Sequence, residues 1–326
     1  MTYQRLRAYL RDCEKMENPI WVTGHPAPDT DAAVSALFEA WRMTVGGTPA
    51  VPILQGQLSR ETAYLLGDIT FPDRKNGAGK WVLTDHHDVG AYDGEVVAII
   101  DHHPVSDSEK LAGIDVCIRP VGAATTLVAQ RLKADGVTLD SACARILLGA
   151  ILLDTEGLSS HKAKPEDTET AAWLSALCGE ECASFYRVLK EQLLSETDPT
   201  VLYERDWRSY TAPDGTPVMG FAILKVRSGN MPSCDDIRRR LAQDAAAFGY
   251  AATVAKIVLY AADNSREEYY LAAGPFADAV LTEVMRHSGD GARRTAEDEV
   301  YLPSHCHHWG RKRYAVQLLK ILQEKP

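Results

Sequence analysis

Histidines and aspartates gather at the ends of three short apolar runs in this chain. The clusters are Gly24-His25-Pro26-Ala27-Pro28-Asp29-Thr30-Asp31, Thr84-Asp85-His86-His87 and Ile100-Asp101-His102-His103. The runs before them are Trp21-Val22, Trp81-Val82-Leu83 and Val96-Val97-Ala98-Ile99-Ile100. Asp154, in Leu152-Leu153-Asp154-Thr155, also ends an apolar segment. His25, Asp29, Asp31, Asp85, His102 and Asp154 make a candidate ligand set large enough for two divalent ions with one bridging carboxylate. Mixed imidazole and carboxylate ligation suits Mn, Co, Fe or Zn better than Ca. Two such ions together suit hydrolysis of a phosphate ester or anhydride. Taken singly, an aspartate after a strand is more often a cap or turn residue. Three such clusters after three apolar runs are hard to ascribe to coincidence.

Apolar runs of this kind read as buried parallel strands with functional groups at their carboxyl ends. In an open α/β sheet, ligands bind outside those ends. An amphipathic helix is expected over 3–15, strands over 19–23, 50–54, 80–84, 96–100 and 114–118, and helices over 31–43, 60–66, 122–132, 141–153 and 165–194. Asp29 or Thr30 is the expected N-cap of the second helix. Alternating strands and helices imply a doubly wound, mainly parallel α/β sheet. The polar stretch Ser195-Glu196-Thr197-Asp198-Pro199-Thr200 reads as a linker. The expected division is therefore a catalytic, metal-binding domain over 1–194, a linker over 195–201, and a smaller α/β domain over 202–326. In the latter a hairpin turns at Pro213-Asp214-Gly215, a helix covers 234–248, strands cover 253–261 and 269–273, and two more helices follow, the last over 311–322.

The 326 residues are 45% hydrophobic and 25% charged, as in an ordinary globular protein. A net charge of −10 argues against nucleic acid as a general partner, though it leaves room for a basic pocket. No apolar stretch reaches a membrane span, and the N-terminus lacks the apolar core of a signal peptide, so a cytoplasmic location is expected. The seven scattered cysteines fit reduced thiols better than a disulfide framework. Cys178 and Cys182 are spaced to share a helix face, where packing is the favoured reading over metal binding. A homodimer is compatible with the composition.

Arg311-Lys312-Arg313 opens the last expected helix. A solvated basic face is the plain reading. However, the macrodipole disfavours cations at a helix start, so their presence there is easier to explain if they meet an anion. Both side chains suit phosphate, Arg by bidentate contact and Lys as a point charge.

These motifs resemble the DHH phosphoesterase superfamily, and within it the manganese-dependent (family II) inorganic pyrophosphatases and exopolyphosphatase-like proteins. The first cluster and Asp101-His102-His103 carry the resemblance, with Pro120-Val121-Gly122-Ala123-Ala124-Thr125-Thr126, Leu153-Asp154-Thr155 and Gly310-Arg311-Lys312-Arg313. It spans both domains and makes the second DHHA2-like. It implies one metal on His25, Asp29 and Asp85, and another on Asp31, Asp85, His102 and Asp154. The ions would be two Mn2+, or Co2+, with further Mg2+ arriving with the substrate. His103 would face the phosphate oxygens, while Asp101 would orient the histidines. Arg311 and Lys312 would contact the substrate, as would Arg208, which stands where that family commonly carries a Lys.

The implied activity is hydrolysis of pyrophosphate, a small anionic substrate. The alternatives are an exopolyphosphatase acting on short polyphosphates and a phosphodiesterase acting on nucleotides. A non-catalytic interaction protein is a third reading, which a complete ligand set counts against. The chain departs from the pyrophosphatase pattern at His87, at Pro104 and at Pro26-Ala27. Ser304-His305-Cys306-His307-His308-Trp309 reads either as cleft lining, with His307 or His308 toward a longer phosphate chain, or as chance surface histidines, or as a separate metal site.

Overall fold

The computed structural model describes every residue except 75–78, 106–107, 160, 213–214, 307–315, 317–318 and 321–326. The chain falls into two compact units, Met1–Gln192 and Leu193–Pro326.

In the first unit, strands β1 (Ile20–Thr23), β2 (Ala50–Ile53), β3 (Gly79–Thr84), β4 (Gly94–Asp101) and β5 (Asp115–Ile118) form one sheet in the order β2-β1-β3-β4-β5. Every pairing is parallel. Helices α1 (Tyr3–Asp12), α2 (Thr30–Val45), α3 (Arg60–Leu66), α4 (Ala124–Ala134), α5 (Ser141–Asp154), α6 (Pro165–Cys178) and α7 (Cys182–Leu194) accompany it. This is the doubly wound parallel fold expected from the alternation of elements. The chain steps from β1 to β2 on one side and then crosses to place β3 on the other. The order therefore reverses between β1 and β3, and the carboxyl ends of those strands border the crevice that such a reversal opens.

Apolar patterning explains where the core sits. Twelve of the 16 residues of α2 are buried, so this helix is covered nearly all round rather than along one stripe. Leu37 and Phe38 of α2 share one core with Val22, Leu83 and Ile99 of the strands and with Leu147, Leu148 and Ile151 of α5. Such a core fixes the strand ends, and with them the loops that follow.

In the second unit, helix α8 (Pro199–Arg205) precedes strands β6 (Trp207–Thr211), β7 (Pro217–Arg227), β8 (Ala252–Tyr260), β9 (Arg266–Ala273), β10 (Arg293–Ala296) and β11 (Glu299–Leu302). Helix α9 (Cys234–Phe248) lies between β7 and β8, and α10 (Ala277–Ser288) follows β9. The sheet order is β10-β11-β9-β8-β7-β6, with β7 and β8 parallel and the other pairs antiparallel. Alternate residues face opposite sides of a strand, which divides the apolar residues between two cores. Met219, Phe221 and Val254 join Val280 and Leu281 of α10, whereas Leu224, Val226 and Ile257 join Ile237 and Leu241 of α9.

Two expectations change. The polar stretch over 195–201 is helical from Pro199, because Asp198 accepts the amide protons of Thr200 and Val201 as N-cap and Pro199 takes the first turn. Its polarity marks a helix start. The segment 293–302 forms the hairpin β10–β11, which charged, short strands had hidden from the periodicity. The helix over 311–322 lies almost wholly outside the described residues. All seven cysteines are unpaired, and among the described residues no helix is long and apolar enough to cross a membrane.

Candidate metal centre

The turn after β1 starts the site. A Cβ on Gly24 would lie 2.5 Å from Cβ of Ala32, so glycine lets the turn close onto α2. Asp29 then serves two purposes. Its Oδ1 accepts the amide proton of Ala32 at 3.0 Å and caps α2, while its Oδ2 stands 3.7 Å from Nε2 of His25. Cap and candidate ligand are one residue here. His25 Nδ1 bonds the carbonyl of Pro26 at 2.9 Å, which leaves Nε2 for the carboxylates.

Asp85, just past β3, has φ of 61°, a left-handed conformation that costs a non-glycine residue energy. Its amide bonds the carbonyl of Ile100 at 2.9 Å. The carboxylate stands between two imidazoles: Oδ2 is 3.4 Å from His25 Nε2 and Oδ1 is 3.0 Å from His102 Nε2. His102 is held from behind, its Nδ1 bonding the Val121 carbonyl at 3.1 Å. Its Nε2 also lies 3.5 Å from Asp154 Oδ2, at the end of α5, and 4.0 Å from Asp31 Oδ2. Asp31, in the first turn of α2, accepts the amide protons of Ala124 at 2.6 Å and Thr125 at 2.8 Å from the start of α4. The segment over 120–126 is thus a turn whose amides fix one carboxylate and whose carbonyl fixes one imidazole.

Electrostatics agree with a cation-binding role. Burial lowers the affinity of His25 for a proton, but Asp29 and Asp85 outweigh it and push its pKa up to about 11. His102, likewise against burial, is pushed up to about 10 by Asp85, Asp31 and Asp154. Burial, then the charges of Asp29 and Asp85, push Asp154 up to about 7. Burial, then Asp85 and Asp154, also push Asp31 upward. Burial and Asp29 oppose the charge of Asp85, yet His102 and His25 prevail and hold it below the usual carboxylate range. Four crowded carboxylates with only two imidazoles call for added positive charge.

The donor set fits metal ions. His25, Asp29 and Asp85 each offer an atom within 4.8 Å of the others', and so do Asp31, His102 and Asp154. Each imidazole presents one nitrogen to the cluster and ties the other to a backbone carbonyl, as metal-binding histidines commonly do. The structure thus brings together all six residues picked as candidate ligands in the sequence.

A further layer surrounds them. Asp101, fully buried, accepts the amide protons of His102 at 2.7 Å and His103 at 3.1 Å, and its two oxygens bond His103 Nδ1 at 2.9 Å and His87 Nδ1 at 2.5 Å. Burial opposes its charge, but His103 and His87 hold its carboxyl well below the usual range. Asp101 also groups with Asp85, His102 and His103 within ligand reach of one another. His103 remains 44% exposed. On the His25 side, His86 bonds the Thr84 carbonyl at 2.9 Å and the Tyr92 hydroxyl at 2.7 Å. Gln55 donates to Tyr92 at 2.8 Å and to Thr23 at 3.0 Å. The sequence reading assigned no role to Tyr92, Gln55 or Asp167, because nothing in their spacing ties them to the clusters; His86 stands in the second cluster but was given no role. His87, in the same cluster, was given no ligand role and was noted as a departure from a family pattern.

Arg208 lies on β6, where its Nη1 donates to the carbonyl of Trp207 at 3.0 Å. Arg311, Lys312, His307 and His308 fall outside the described residues. Cys306 is buried, its thiol 3.4 Å from the Asp290 carbonyl, and among the described residues no candidate metal group includes it.

Fold and site together define a two-unit α/β protein whose parallel sheet carries a carboxylate–imidazole cluster for divalent ions. Its similarities lie in the same direction. The chain is 33% identical over 201 residues to the manganese-dependent inorganic pyrophosphatase of Methanothrix thermoacetophila, covering 58% of this chain and 65% of that one. It is 34% identical over 185 residues to the probable manganese-dependent inorganic pyrophosphatase of Archaeoglobus fulgidus, covering 50% and 58%. The chain thus spans less than two thirds of the length of these curated relatives. Its fold matches a crystal structure assigned to a family II inorganic pyrophosphatase of Methanococcus jannaschii, with a TM-score of 0.68, 21% identity, and coverage of 93% and 99%. No family model matches the chain. The resemblance read from the motifs is borne out by these similarities.

Proposed function

We propose that this protein hydrolyses inorganic pyrophosphate to two phosphates with two Mn2+ ions. The observation that carries the reading is the Asp85 carboxylate, whose two oxygens face the imidazoles of two separate ligand groups. His25, Asp29 and Asp85 would hold one ion, and Asp31, Asp85, His102 and Asp154 the other. Bound there, the pair supplies an acidified water and neutralises charge at phosphorus. The remaining work falls to the chain. Buried carboxylates fix the ligand positions before substrate arrives. Asp101 accepts from Nδ1 of His103 and so fixes the ring's orientation; as the imidazolium, that ring would donate from Nε2 to a phosphate oxygen. Arg311, Lys312 and Arg208 are proposed as further phosphate contacts on the strength of the sequence, with His308 reaching a longer chain.

On this reading the substrate is a small cytoplasmic anion rather than nucleic acid. Phosphate release from pyrophosphate, tripolyphosphate and a cyclic dinucleotide, each with Mn2+ or Mg2+, tests it. Pyrophosphate with Mn2+ is expected to be hydrolysed fastest. Preference for tripolyphosphate would favour the exopolyphosphatase alternative, which the departures at His87 and Pro104 keep in view. Cleavage of the dinucleotide alone would overturn the reading.

A further inference from the structure

We propose that Asp167 is a positioning residue for one half of the metal centre, acting through the turn over 121–126. The inference rests on the metal reading above. Asp167 sits in the first turn of α6 and is fully buried. Its Oδ2 accepts the amide protons of Gly122 at 2.7 Å and Lys164 at 2.7 Å, and its Oδ1 accepts the hydroxyl proton of Thr126 at 2.6 Å. One carboxylate therefore grips the turn at both ends.

What the turn does in between is the point. The Val121 carbonyl holds the His102 ring, and the amides of Ala124 and Thr125 hold the Asp31 carboxylate. A Cβ on Gly122 would lie 2.8 Å from Asp167 Oδ2 and 2.6 Å from Cγ2 of Thr155, the residue after Asp154. The turn thus touches two ligands of the second group and the neighbour of the third. By contrast, the hydrogen bonds of the turn named above go to Asp31, His102 and Asp167, and none of these is in the group formed by His25, Asp29 and Asp85. Loss of the Asp167 carboxylate should loosen the group formed by Asp31, His102 and Asp154 and leave the other group nearly intact.

Mn2+ titration followed by electron paramagnetic resonance tests this on the full chain, with circular dichroism as a check of folding. For Asp167→Ala one of the two Mn2+ sites is expected to lose about 10- to 100-fold in affinity, and the other less than about threefold. A general loss of stability would weaken both sites alike, so the difference between them is the readout. Thr126→Val removes a single bond to Asp167 and serves if Asp167→Ala does not fold. It is expected to change the same site in the same direction, by about threefold. Equal weakening of both sites, or wild-type affinity in a folded variant, would overturn the positioning role. A wild-type chain that takes up no Mn2+ would instead overturn the metal reading, and this inference with it.

Discussion

Asp85 places its Oδ1 3.0 Å from Nε2 of His102, while its other oxygen faces His25 at 3.4 Å. A carboxylate shared in this way joins two ligand groups into one centre. Asp85→Asn keeps the shape but removes the charge and replaces one acceptor with a donor. It is expected to cut both Mn2+ uptake and phosphate release by more than about 100-fold, beyond the loss typical of an outer partner. A side-by-side titration and rate measurement decides this, and near wild-type behaviour would contradict the bridging role.

Protons and metal ions should compete at this site. In the metal-free protein His25 is pushed up to about 11, His102 to about 10 and Asp154 to about 7. Ligands must give up their protons to bind metal. Apparent Mn2+ affinity should therefore climb from pH 6 to pH 8, with protons released on binding. Calorimetry in buffers of different ionisation enthalpy measures both, and a flat affinity with no release would count against the assignment. The metal-free protein has the opposite trend in stability. Both imidazoles have raised values, so their contribution is complete below an unfolded value of about 6.5 and is lost as pH rises through about 10 to 11. Denaturation curves with a chelator present should weaken over that window.

The hydroxyl of Tyr92 links His86 to Gln55, and through Gln55 to the end of β1. Tyr92→Phe takes the hydroxyl from His86 Nε2, while Gln55 Nε2 keeps its bonds to Thr23 and Gly24. The expected cost is about 1 kcal/mol of stability, by chemical denaturation, with Mn2+ affinity reduced by no more than about tenfold. Unchanged values for both would show that the network does not support the end of β1, from which the turn carrying His25 starts.

Asp140 ties the N-terminus to α5, accepting the amide protons of Tyr3 at 2.8 Å and Cys143 at 2.9 Å. Burial alone would raise its pKa, but those bonds lower it. Its contribution is therefore present above an unfolded value of about 3.9 and is lost as pH falls through the lower folded value. Asp140→Asn should be less stable than the wild type at pH 7, and the gap should close toward pH 3. A gap that persists in acid would show that charge is not the cause.

Much of this was legible in the residues. The strands betray themselves because β1, β3 and β4 are apolar runs that end abruptly in Asp and His, and the six candidate ligands sit on those ends or on the helices beside them. Asp29 shows why local reasoning was ambiguous, since capping α2 and facing His25 use different oxygens of one carboxylate. Asp167 could not be found in this way. In Lys164-Pro165-Glu166-Asp167 it reads as an acid in a helix's first turn, which it is, and only folding reveals that it grips a turn 45 positions earlier at Gly122. The hairpin β10–β11 escaped because Arg293, Arg294, Glu297, Asp298 and Glu299 crowd ten residues with charge, and an edge strand needs little apolar surface.

The most direct test of the central claim is anomalous diffraction from a crystal grown with Mn2+. Two peaks about 3.5 to 4 Å apart are predicted, each on a different oxygen of Asp85. One should be completed by His25 and Asp29, and the other by Asp31, His102 and Asp154. A single peak, or a pair that leaves Asp85 uncoordinated, would contradict it.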